Sequence, residues 1–204
     1  MSQVAIIGLL GLCVVVCSSS SAAAALMMGG EETPTTTEPS APATTPTPQS
    51  GPPKGRYVKI VQTVAYDESA EGNEDDKNKI INLAELEVFD ASGNNLAASK
   101  SVTGSSQYPA PHLWSNLTDG DKTNFAHTLG RTPSEYDSMT VDLGSEKEIK
   151  KLVITNRTSC CKNRAVGIKA VILGTNGTTI VKETPTISTT ADTYTLTFPG
   201  NVWS

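Results

Sequence analysis

Lys151-Leu152-Val153-Ile154-Thr155-Asn156-Arg157-Thr158-Ser159-Cys160-Cys161-Lys162-Asn163-Arg164 carries an apolar run into a polar turn where two cysteines stand side by side. One arginine precedes the pair by three residues and another follows it by three. The run 151–155 reads as a β-strand, and a second apolar run, 165–173, begins almost at once. Both guanidinium groups and both sulfurs therefore fall in a connection at one end of a sheet, where binding residues collect. Cys160 and Cys161 admit three readings. Bridged to each other, they close a small ring with a flat, polarizable sulfur face. As two buried thiols they would fit poorly, because neighbouring strand residues point to opposite faces and one core would not take both. A metal site would need more Cys or His close by than the chain offers. The bridged form is the expectation carried forward: a sugar's C–H face can lie on such a ring while the arginines' forked donors grip its hydroxyls.

Strand candidates recur on both sides of this stretch, at 57–64, 80–89, 139–143, 148–155, 165–173, 179–181 and 193–198. Turn signals separate them: Asp90-Ala91-Ser92-Gly93-Asn94-Asn95, Asp119-Gly120-Asp121 and Gly174-Thr175-Asn176-Gly177. No long stretch has apolar residues at helical spacing. Leu83, Leu86 and Val88 beside Glu85 and Glu87 predict an irregular strand rather than a strictly alternating one. The expected domain, residues 55–204, is all-β: an antiparallel β-sandwich of jelly-roll type. The acidic stretch 67–79 reads as a solvated loop within a hairpin. No internal repeat is visible.

The first 54 of the 204 residues have a different character. No Asp, Glu, Lys or Arg occurs from Met1 to Gly30. Residues 4–28 are long enough to cross ~30 Å of hydrocarbon as a helix. A cleaved signal peptide is the alternative, and the absence of Lys or Arg in Met1-Ser2-Gln3 argues against it. The expectation for 1–30 is a membrane anchor, with no flanking charge to orient it. It also holds Cys13 and Cys17. Residues 31–54 are rich in Thr and Pro and cannot bury a core; they read as a spacer, with room for O-glycosylation, reaching up to ~75 Å. The expected location is therefore membrane-anchored, with the domain outside the cell or on a particle surface. Net charge is −5 with no basic block, which argues against nucleic acid as a partner.

Asn116-Leu117-Thr118-Asp119-Gly120-Asp121 places oxygen side chains around a glycine turn, a spacing that can wrap a hard cation and that also occurs in plain Asp-Gly turns. Asn116, Asn156 and Asn176 each open a glycosylation sequon. His127, in Asn124-Phe125-Ala126-His127, reads either as a hydrogen-bonded loop histidine or as a neutral imidazole facing a hydroxylated ligand beside the arginines. His112 shows no such neighbours in sequence, and Trp114 is expected to pack. Catalysis finds little support. There is no Gly-x-Ser-x-Gly, no His-Glu-x-x-His, no phosphate loop and no dinucleotide glycine motif, and there are only two histidines to serve as bases.

Taken together, these residues resemble the F-type (fucose-binding) lectins, within the discoidin or coagulation-factor 5/8 type C superfamily. The likeness runs through Asn116-Leu-Thr-Asp119-Gly-Asp121, Asn124-Phe-Ala-His127, Val141-Asp-Leu143, Val153-Ile-Thr-Asn-Arg157 and Cys160-Cys161 to Arg164. The family pattern Arg-x-Asp-Cys-Cys-x-x-Arg stands here as Arg157-Thr-Ser159-Cys160-Cys161-Lys-Asn-Arg164, with Ser159 in place of the Asp. The family's closing stretch stands first here, as Gly55-Arg56-Tyr57-Val58 and then Asn82-Leu-Ala84-Glu85-Leu-Glu87-Val88, which looks like a circular permutation. The resemblance implies that Arg157, Arg164 and His127 hold sugar hydroxyls and that a Cys160–Cys161 disulfide stacks on the ring. It also implies Ca²⁺ held by the Ala84 carbonyl, Glu85, Asn116, Asp119 and Asp121.

The expected function is thus a membrane-tethered, calcium-stabilised module that binds a fucose-type glycan for surface attachment. The alternative is an interaction protein that keeps the lectin fold for contacts with other structural proteins, as a minor capsid protein or a membrane-to-capsid tether in a virion would. The uncharged apolar start followed by Ser and Ala runs resembles membrane proteins of large DNA-virus particles. An enzyme is the last choice.

Overall fold

In the computed structural model the described residues are 51–64, 80–130 and 136–204. The expected membrane anchor, almost all of the Thr/Pro spacer and the acidic loop 67–79 lie outside them. Among the described residues no helix is long and apolar enough to cross a membrane.

Among the described residues nine strands form two antiparallel sheets. They are β1 (Lys54–Gln62), β2 (Asn82–Phe89), β3 (Val102–Gly104), β4 (Ala126–His127), β5 (Ser138–Glu148), β6 (Lys151–Asn156), β7 (Ile168–Leu173), β8 (Ile180–Glu183) and β9 (Thr193–Thr197). One sheet has the order β3-β5-β1-β7-β8 and the other β4-β2-β6-β9. The inward side chains of both sheets meet in a single apolar cluster, among them Ile60 of β1, Leu83 and Leu86 of β2, Val141 of β5, Ile154 of β6, Ile172 of β7 and Leu196 of β9. Burying each such aliphatic side chain contributes about 1.5–3 kcal/mol. The expected all-β sandwich is what the described residues form, and Trp114 packs against its core.

Several boundaries differ from expectation for physical reasons. β1 begins at Lys54, inside the stretch read as spacer. It can start there because Gly55 has no side chain: a Cβ would sit 2.5 Å from Ile172 Cγ2 and 2.7 Å from the Leu173 carbonyl oxygen. β5 does not stop at Leu143 but continues through Gly144, and the break falls at Ile149-Lys150, where the chain crosses from one sheet to the other. The run 165–173 divides, because the chain first makes a 3-10 turn, Lys162–Ala165, and then passes Gly167 at φ +90° before β7. β3 and β4 were not legible at all: three and two residues are too short for a period to show.

The irregularity read in β2 has a cause. The pairing register with β6 shifts between Leu83 and Glu85, a bulge at Ala84. An extra residue there resets the alternation, so that Leu83 and Leu86 both face the core. Glu85 and Glu87 then fall on the opposite face, toward the 119–124 loop.

Candidate functional site

Asn156 ends β6 and sets the path of the chain beyond it. It is fully buried, and its Nδ2 donates to the carbonyls of Lys162 and Ala191, each at 2.9 Å. Its Oδ1 accepts the backbone N–H of Arg157 at 2.9 Å. One side chain thereby ties both ends of the 157–162 connection to each other and to the 184–194 segment. Such a buried amide is unavailable to a glycan, so the sequon at Asn156 is a packing residue. The Asn116 amide is also occupied, donating to the carbonyls of Pro111 and Phe125 at 2.8 and 3.1 Å.

Within that connection Cys160 and Cys161 are bonded to each other. Cys161 takes a left-handed conformation, φ 59° and ψ 31°, and its carbonyl accepts the Arg164 N–H at 3.1 Å, which starts the 3-10 turn. Cys160 is exposed and Cys161 half-buried, so the bridge presents a sulfur face to solvent at the end of the sandwich. Of the three readings of the cysteine pair, the bridge is the one that forms.

The two arginines approach one histidine. Arg164 is 7% exposed, and its Nη1 lies 3.5 Å from Nε2 of His127, itself 7% exposed. His127 Nδ1 lies 2.5 Å from the carbonyl oxygen of Thr128. A carbonyl only accepts, so Nδ1 carries the proton and Nε2 presents its lone pair toward the Arg164 donor. Burial, then the charges of Arg164 and Arg157, push the imidazole down to about 4, against a partial opposing pull from the Thr128 carbonyl. His127 is therefore neutral at ordinary pH. Arg157 lies over the Phe125 ring, 4.0 Å from its centroid, and its Nε donates to Ser159 Oγ at 2.8 Å. Ser159, which stands where the family pattern has Asp, thus still gives Arg157 an oxygen to rest on.

Sequence reasoning missed the aromatic side of this cluster. The Tyr108 ring lies 4.6 Å from that of His127 and remains partly exposed. His112 stacks on Phe125 with centroids 3.9 Å apart and planes 17° apart. Its imidazole is held below its ordinary value by burial and by the nearby Arg157 charge. A usable signal existed: Phe125 and His127 are two apart, which puts them on one face of any strand.

The residues expected to hold calcium divide into two groups. Glu85 is 1% exposed, and Gly120 N–H donates to its Oε2 at 3.2 Å. Burial, with smaller pushes from Asp119 and Glu87, raises its carboxyl to about 7, although the Gly120 N–H works the other way. Asp119 Oδ1 accepts the Asp121 N–H at 2.9 Å, and its Oδ2 accepts Asn124 Nδ2 at 2.8 Å. Asn124 Oδ1 is buried with no hydrogen-bond partner among the described residues. Asp121 instead turns to Thr123, whose N–H and hydroxyl hold its carboxylate below the usual range. Ala84 is the bulge residue beside Glu85. Among the described residues no three Asp, Glu, His or Cys side chains converge on one point. Glu85 and Asp119 bring two carboxyl groups to one corner at the Gly120 turn, whereas Asp121 is engaged with Thr123 and the Asn116 amide with the Pro111 and Phe125 carbonyls.

Residues 116–203 match the family model F5/F8 type C, described as a NedA-like, galactose-binding domain. No curated protein matches the chain. The matched stretch holds His127, both arginines and the disulfide, while β1 and β2, inner strands of the two sheets, precede it.

Proposed function

We propose, from the place of residues 116–203 in the F5/F8 type C (discoidin) superfamily and from the geometry around His127, that this protein is a carbohydrate-binding module with a fucose-type preference and no catalytic step. The observation that carries the reading is the meeting of Arg157, Arg164 and a neutral His127 beside an exposed Cys160–Cys161 bridge. Each guanidinium offers several N–H donors in a fixed plane to hydroxyl oxygens. The His127 lone pair, now opposite Arg164, can accept a sugar O–H instead. The sulfur face and the Tyr108 ring give apolar ground for the C–H face of a pyranose. Calcium, held by Glu85, Asp119 and Asn124 Oδ1, would neutralise the buried Glu85 carboxylate beside the exposed Asp119 and fix the 119–124 loop against β2.

A glycan array followed by calorimetry tests this. Folded protein with calcium should bind fucosylated glycans, and free L-fucose at millimolar levels. Arg157→Ala or Arg164→Ala should each lose roughly 10- to 100-fold in affinity, the weight of a charge-assisted hydrogen bond. An array blank in the presence of calcium, with the protein folded, would sink the proposal. It would leave the interaction-protein alternative, for which the exposed Tyr108, Leu113 and Leu129 supply apolar contact surface.

A further inference from the structure

One fully buried group near the site has no explanation in the fold. Asn82 opens β2 at 0% exposure, yet neither its Oδ1 nor its Nδ2 has a hydrogen-bond partner among the described residues. Its place is specific. Asn82 stands directly opposite His127 in the β2–β4 pairing, and residues directly opposite share a face of the sheet. On its other side the last pair with β6 is Leu83 with Asn156, so Asn82 comes level with Arg157. The 3-10 turn that carries Arg164 also packs against β2. Ile81 and Leu83 face the core, which turns Asn82 to the opposite side, the side of His127. The amide therefore lies at the floor of the cluster, in a row from His127 to Arg157.

Leaving such a group unpaired costs about 1–3 kcal/mol for each orphaned donor or acceptor, and an apolar residue of the same size would avoid the cost. We infer that Asn82 is a ligand-contacting residue of this site, its carbonyl accepting from one hydroxyl of a pyranose and its NH₂ donating to the neighbouring oxygen. This rests on the carbohydrate-binding reading above. Binding draws the side chains around the amide onto the ligand and lets the ligand reach the floor; rotamer changes of that kind are common when sites fill. The consequence is a requirement for two adjacent hydroxyls. A deoxy analogue lacking one of them leaves the amide unpaired again, and a polar site rejects such an analogue strongly.

The test uses the full chain with calcium, L-fucose and D-galactose as probes, and Asn82→Leu as the variant. Asn82→Leu should melt at the same temperature as the parent or higher, because an unpaired amide has gone, while affinity falls at least about tenfold. In the unsubstituted protein the Asn82 side-chain NH₂ resonances should shift on adding sugar. Parent-like affinity in Asn82→Leu overturns the inference, as does a loss of stability with affinity kept, which would mark a structural amide. If Asn82→Leu fails to fold, NH₂ resonances unmoved by sugar overturn it and shifted ones support it. If the parent itself binds neither probe, the inference falls together with the carbohydrate reading, and the parent's own failure identifies that case.

Discussion

His127 stays neutral because it is buried and two guanidinium groups lie nearby, although the hydrogen bond its Nδ1–H donates to the Thr128 carbonyl pulls the other way. The linkage to stability has a definite sign. In the unfolded chain the imidazole titrates near its ordinary value of 6.5, and in the fold its value is depressed to about 4. Between those limits only the unfolded state takes up the proton, so stability contributed by the neutral form is complete above the upper limit and is lost as pH falls toward the lower one. A shift of this size corresponds to up to about 3 kcal/mol. Urea unfolding from neutral pH down to acid should show that loss, and His127→Gln should remove this component of the slope. An unchanged slope in His127→Gln would show that the imidazole is not the group titrating. Asp137 complicates the acid range. It is buried and raised by that burial, and it accepts from the hydroxyls of Thr128, Ser105 and Ser106. A raised carboxyl favours folding as pH falls, so its contribution runs opposite to that of His127, and the variant comparison separates the two.

The connection from Asn156 to Arg164 acts as an element although most of it is neither helix nor strand. Its shape comes from one buried amide, one left-handed cysteine and one 3-10 turn. Asn156→Ala leaves the Lys162 and Ala191 carbonyls and the Arg157 N–H without this partner, at a cost of about 1–3 kcal/mol for each that stays buried. A melting temperature lowered by several degrees is expected, together with weaker glycan binding although Asn156 need not touch the ligand. Sugar affinity unchanged in a destabilised Asn156→Ala would show that the arginines are positioned without it. The connection also shows what a sequence can and cannot disclose. Arg157, the cysteine pair and Arg164 were legible because their spacing is local and their chemistry specific. Tyr108 and His112 were not, because they arrive from a different loop, and only the pairing of β4 with β2 and of Tyr108 with His127 brings that loop here. Asn82 was invisible for the same reason: its role depends on which strand lies beside it.

At the scale of the molecule, the two sheets are joined by packing, and the site stands at the end of one of them. β2 is the strand that borders both candidate sites. Asn82 at its start lies beside His127, and Glu85, past the Ala84 bulge, faces the 119–124 loop. The same bulge that breaks the alternation thus aims Glu85 at the Asp119-Gly120 turn, where its buried carboxyl feels the charge of the exposed Asp119. If calcium occupies the corner, it adds stability by mass action, about 2.7 kcal/mol at a hundredfold excess over its dissociation constant. For a domain of this size that is a rise of roughly 5–10 °C in melting temperature. Glu85→Gln should abolish the rise. Without calcium the variant should be no less stable than the parent, because it removes a buried charge and keeps an oxygen for Gly120. A melting temperature indifferent to calcium and chelator would remove the ion from the account. The arginine–histidine cluster would then have to be held without it, through the Asn116 amide on the Phe125 carbonyl and the Phe125 ring beneath Arg157.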